Sequence, residues 1–147
     1  MYSHTFLTKS ANWLAEGMVT LNLVGEPMKF YAKWKVDADI DDEVRCVQQI
    51  EIAGLADQVH NLFSFNIAKE DEIYVQMENN AIGKVKAKGL CDERVIAWEY
   101  ENPEGEFGGY EIYKKEDDKN YYFCCEFLTK QQLHSHIEGK MWVDSFS

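Results

Sequence analysis

Three short patterns in this sequence carry atoms suited to chemistry: paired histidines, alternating aspartates and adjacent cysteines. In His134-Ser135-His136 two imidazoles fall on one side of an extended strand, as two ligands of a transition metal would. Their neighbours Leu133, Ile137, Met141 and Val143 set the apolar parity of that segment, which turns both histidines outward. A third ligand has to come from elsewhere, and His60 also falls on the polar face of its segment. The histidines therefore read as solvated surface residues, and no metal is expected.

Asp37-x-Asp39-x-Asp41 opens like a calcium loop. An EF-hand needs glycine at the sixth position and glutamate at the twelfth. Asp42 and Gln48 stand there instead, so the stretch Asp37 to Glu43 reads as a solvated turn. A nucleophilic cysteine needs a base beside it, and Cys125 shares parity with Tyr121, Phe123 and Phe127 rather than with a histidine. Apolar surroundings raise a thiol's pKa and make it inert, so Cys125 reads as structural. Gly108-Gly109 precedes no helix and is no phosphate loop. No catalytic residue is assigned.

What remains is the wall these segments would build. Period-two alternation runs through the chain, and it separates core from solvent in a way no helix could. Trp13, Ala15, Gly17, Val19, Leu21 and Leu23 share one face, and Gly25-Glu26-Pro27 reads as a turn. Met28, Phe30, Ala32, Trp34 and Val36 then alternate against Lys29, Tyr31, Lys33 and Lys35. Val44, Cys46, Gln48, Ile50 and Ile52 continue the inner face, followed by Val59, Asn61, Phe63, Phe65 and Ile67. Further strands are predicted at 72–79, 82–90, 93–101, 107–115, 120–129 and 132–143, with at most a turn in residues 2–11. Short connections and glycines inside strand patterns favour an all-β, antiparallel up-and-down meander of about ten strands closed into a barrel. The 147 residues suffice for one such domain, spanning 1–147.

Projected inward, Trp34, Gln48, Asn61, Phe63, Phe65, Met77, Trp98, Tyr110, Phe123 and Cys125 would make an aromatic interior with a few polar groups. Small-ligand sites have that composition. Small barrels also fill their interiors with side chains, so a filled barrel is the alternative.

Charge and cysteine content narrow the partners. With 26 acidic against 15 basic residues, the net charge is −11, which disfavours nucleic acid and anionic membranes. Lys84, Lys86 and Lys88 alternate as a solvated strand face. The amino terminus lacks the features of a signal peptide, Asn-x-Ser/Thr sequons are absent, and no apolar run approaches a membrane span. The cysteines Cys46, Cys91, Cys124 and Cys125 lack Cys-x-x-Cys spacing, so a cytoplasmic protein with reduced thiols is expected, as monomer or homodimer.

Asn12-Trp13-Leu14-Ala15-Glu16-Gly17 at the first strand, and a meander ending in Gly139-Lys140-Met141-Trp142, resemble the calycin superfamily of lipocalins, fatty-acid-binding proteins and related bacterial barrels. The lipocalin Gly-x-Trp has Ala11 in place of glycine, and Lys140 could stand for the basic residue that packs on the tryptophan. The fatty-acid-binding pattern needs two arginines and a tyrosine; only Arg45 and Arg94 occur, neither on the final strands, so a fatty-acid carboxylate is not implied. The aromatic interior points to non-catalytic binding of a small, largely apolar ligand inside such a barrel, with no cofactor. The alternatives are a barrel lyase or isomerase acting on a hydrophobic small molecule, which the resemblance implies since some calycin-like barrels attach or reshape pigments, and a filled-barrel structural or interaction protein.

Overall fold

The computed structural model describes residues 4–22, 24–40, 43–67, 71–102, 105–129 and 133–146. Ten strands follow one another: β1 (Ala11–Leu21), β2 (Val24–Ile40), β3 (Glu43–Ile52), β4 (Val59–Ile67), β5 (Glu72–Asn79), β6 (Gly83–Cys91), β7 (Val95–Tyr100), β8 (Phe107–Asp117), β9 (Asn120–Thr129) and β10 (His134–Phe146). Each pairs antiparallel with its sequence neighbour, and β1 pairs with β10, so the sheet closes into an up-and-down barrel. Closure removes the edges that an open ten-stranded sheet would expose. At the closing seam Gly17 lies opposite Gly139, and a Cβ on either would come within 2.1 Å of a carbonyl oxygen of the facing strand. Only glycine lets the two backbones approach this closely.

One turn lies elsewhere than the sequence suggested, and another is shorter. Gly25-Glu26-Pro27 belongs to β2, and the chain reverses earlier, between Leu21 and Val24. Asn22 secures that reversal: its N–H donates to the His134 carbonyl at 3.0 Å and its Oδ1 accepts from the His134 N–H at 3.0 Å. A local breaker motif lost to a cross-barrel tie. The acidic stretch likewise stays in strand as far as Ile40, which pairs with Glu43; Asp41 and Asp42 lie outside the described residues.

The turn foreseen near the amino terminus has a larger part than its length suggests. Residues 4–10 cross one end of the barrel and bury Phe6 and Leu7 completely. Phe6 meets Trp13, Trp34, Tyr113 and Tyr121 at ring-centroid distances of 5.6, 5.2, 5.1 and 5.8 Å. Such pairs add roughly 0.5–1.5 kcal/mol each beyond area burial. Thr5 Oγ1 donates to the Asp118 carbonyl at 2.6 Å, and Ser10 Oγ accepts from the Ala38 N–H at 3.0 Å. Those partners lie on or beside the β8–β9 and β2–β3 connections, which locates the plug at that end.

Trp13, fully buried, packs edge-on against Tyr121 with ring centroids 5.5 Å apart. Lys140 instead lies over the outward Tyr122 ring, 5.5 Å from its centroid. The lipocalin-like basic residue on the tryptophan is therefore replaced here by aromatic packing from inside.

Candidate functional site

Opposite the plugged end the interior is hollow. A cavity of about 200 Å³ lies between the upper halves of the strands. Its mouth is bordered by Ile52 and Val59 of the β3–β4 hairpin, Ile82 of the β5–β6 turn, Phe107 and Thr129. Trp34 and Tyr113 form its floor, because both border the cavity and both touch Phe6 of the plug. Volume limits what fits: an engineered cavity of about 150 Å³ admits benzene, whereas sites for drug-sized ligands run to roughly 300–1,000 Å³.

Trp34, Gln48, Asn61, Phe63, Met77 and Phe123 all border this space, as their parity predicted. Gln48 and Asn61 satisfy each other through a 2.9 Å bond from Asn61 Nδ2 to Gln48 Oε1. Asn79 extends the ladder: its Nδ2 donates to Asn61 Oδ1 at 2.8 Å, and its Oδ1 accepts from the N–H groups of Ala81 and Ile82, both at 2.9 Å. One amide side of the cavity is thereby tied to the β5–β6 turn at the mouth.

Trp98 is buried but stands behind the cavity wall, stacked on Tyr113 with centroids 5.3 Å apart. Tyr110 corrects the sequence reading outright. Its side chain is on the outer surface, where its hydroxyl bonds Glu126 and the phenol pKa is raised, first by desolvation and then by that carboxylate. The neighbouring Glu111 occupies the interior in its place.

Glu111 is an interior polar residue that the inward alternation did not include; it is buried and borders the cavity. Gly109, Glu111 and Tyr113 pair with Phe127, Cys125 and Phe123, three residues whose inward parity was already legible. Counting back through the short turn between Asp117 and Asn120 would oppose Tyr110 to Phe127 and turn it inward; a register shift between Lys115 and Asp117 moves the parity of β8 by one residue and puts the Glu111 carboxyl inside. There Glu111 Oε1 accepts from the Tyr113 hydroxyl at 2.6 Å and from Cys125 Sγ at 3.8 Å. Glu111 Oε2 accepts from the Tyr100 hydroxyl and from Trp98 Nε1, the latter at 3.2 Å. Burial pushes the carboxyl above its ordinary pKa, and the four donors only partly oppose it. Burial and the same carboxylate drive the Tyr100 and Tyr113 hydroxyls well above the usual phenol range. A buried carboxyl on a cavity wall, ringed by two phenols, can hold or deliver a proton.

The remaining chemistry-bearing residues are outside or inert. His134 and His136 lie on the outer face, with side-chain exposures of 46% and 33%. All four cysteines are free thiols, and burial raises the Cys125 thiol far above its ordinary range, as its apolar parity suggested. Lys84, Lys86 and Lys88 are exposed on β6. No helix among the described residues is long and apolar enough to cross a membrane.

No protein-family model and no curated protein matches this chain. Among solved structures, the S-type phycobiliprotein lyase CPES from Guillardia theta is similar, with a TM-score of 0.65 at 6% identity. The match covers 94% of this chain and 89% of the lyase. At that identity the likeness is one of fold, and it extends over nearly the whole length of this closed ten-stranded barrel.

Proposed function

We propose that this protein binds a small, largely apolar molecule, carrying one or two hydrogen-bonding groups, in the open half of its barrel. The observation that carries the reading is the aromatic cavity itself, sealed below by Trp34, Tyr113 and the plug but open above. A protein with no use for that space would gain by filling it, since each lost contact around a void weakens the core. The volume selects a one- or two-ring body. The polar groups have counterparts at the Gln48–Asn61–Asn79 ladder, the Glu111 cluster and Thr129 Oγ1, which is buried without a hydrogen-bond partner among the described residues.

Toluene and 4-methylphenol are suitable probes, because they differ by one hydroxyl. Both should raise the melting temperature saturably, as linkage requires, with the phenol binding more tightly. Ile50→Trp, which fills the cavity, should abolish the effect while circular dichroism stays native; Lys33→Ala on the outer face should leave it intact. A wild-type protein whose melting temperature ignores both probes up to their solubility would refute the proposal.

Glu111 supports a second reading, a lyase or isomerase acting on the same class of molecule. Its buried carboxyl would act as general acid or base, and the barrel neighbour is itself a lyase. Glu111→Gln separates the two readings: a binder keeps most of its affinity, whereas an enzyme keeps binding and loses turnover.

A further inference from the structure

The missing third ligand beside His136 stands on the adjacent strand. In the β9–β10 register Cys124 lies directly opposite Glu138, and Glu126 directly opposite His136. All four side chains project from the outer face, where cross-strand neighbours come within reach of one another. Donor atoms of Cys124, His136 and Glu138 lie within 4.8 Å of one another, with His136 Nε2 and Glu138 Oε2 3.4 Å apart. The other imidazole nitrogen, Nδ1, faces Glu126 Oε1 at 3.2 Å. Glu126 is itself hydrogen-bonded by Tyr110.

From this geometry we infer that Cys124, His136 and Glu138 form a binding site for a borderline divalent transition metal, for which zinc is the fitting ion. The donor set decides the class. A thiolate and an imidazole suit zinc, whereas calcium and magnesium take oxygen ligands. Three protein ligands on a half-exposed surface leave the fourth tetrahedral position to water. Glu126 acts as the positioning residue: by accepting Nδ1–H it directs the Nε2 lone pair toward the metal, the carboxylate–histidine–metal arrangement of zinc proteins. Neither histidine spacing nor any motif reveals this set, because it assembles across two strands.

Binding converts Cys124–SH and Zn²⁺ into a Cys124–S⁻–Zn bond and one released proton. Because the thiol must lose its proton to bind, affinity should climb as pH rises from 6 to 8. Calorimetry of the reduced protein with zinc should give one site per chain. Cobalt should produce a thiolate-to-metal absorption band in the near ultraviolet with tetrahedral visible bands. Cys124→Ser should remove the near-ultraviolet band, and His136→Gln should weaken zinc binding at least 10-fold. Glu126→Gln should weaken it roughly 10-fold, as outer partners of metal ligands do. His60→Gln, on the distant β4, should change nothing. All substitutions are on the outer face, and circular dichroism verifies the barrel in each. Binding without a thiolate band, binding unaffected by Cys124→Ser and His136→Gln, or no stoichiometric binding by the folded wild type would each overturn the assignment.

Discussion

The two ends of the barrel are built from the same alternating strands yet end in opposite states. At the plugged end, aromatic rings from the amino-terminal segment and four strands pack against one another around Phe6, and a histidine is buried among them. At the open end the same kind of wall surrounds a cavity, and a glutamate is buried on it. Strand pattern alone makes a barrel; whether a given half is filled depends on what the chain lays across it. Seven residues over one end make the difference, and they hold Phe6 among the interior rings of that half.

That contrast can be broken most directly at Phe6. Phe6→Ala should cost about 3–5 kcal/mol, the range for removing a fully packed aromatic side chain, measured by urea denaturation. It should also extend the cavity through the floor, so larger apolar probes bind the variant than bind wild type. Trp34→Ala tests the boundary between the halves. One face of this ring already borders empty space, so the cost should fall near the low end, about 3 kcal/mol, while toluene binding is lost. If Trp34→Ala proves as costly as Phe6→Ala with no probe binding to wild type, the upper half is effectively filled too. Tyr121→Phe removes one oxygen that accepts the Thr5 and Phe6 N–H groups at 3.2 and 3.3 Å. It should cost about 1–3 kcal/mol, the penalty for buried donors left unmatched, with the cavity untouched.

Most of the wall was legible because alternation is a local signal and a closed barrel repeats it ten times. Trp34, Gln48, Asn61, Phe63, Met77 and Phe123 were read inward on that basis, and they border the cavity. Tyr110 failed because the register of β8 on β9 shifts between Lys115 and Asp117, which turns Glu111 rather than Tyr110 inward, and alternation alone does not reveal such a shift. The plug was barely visible: His4 and Thr5 are polar, so their burial follows from long-range partners more than 80 residues away in sequence. The outer Cys124–His136–Glu138 set was invisible for a related reason, since cross-strand proximity needs the register of β9 on β10.

The finest test of the comparison is the sign of each end's response to pH. His4 Nε2–H donates to the Asp92 carbonyl at 2.6 Å, and Nδ1 accepts the Tyr121 hydroxyl proton at 2.7 Å, as these partners require. Burial lowers the His4 pKa below 6.5, because an imidazolium there would be desolvated and would present a second N–H to a donor. The unfolded chain then binds the proton more readily, so the stability from this end is present above pH 6.5 and is lost as pH falls below it. Glu111 behaves oppositely. Its carboxyl is raised above 4.5, the folded state binds the proton more readily, and its contribution is lost as pH climbs from 4.5 through the folded value. Denaturation midpoints across pH 4 to 8 should therefore respond in opposite directions to two substitutions. His4→Gln should reduce the acid-side loss of stability, and Glu111→Gln should reduce the loss on raising pH. If both substitutions change the slope in the same direction, the two buried groups do not differ in the way the two ends of the barrel imply.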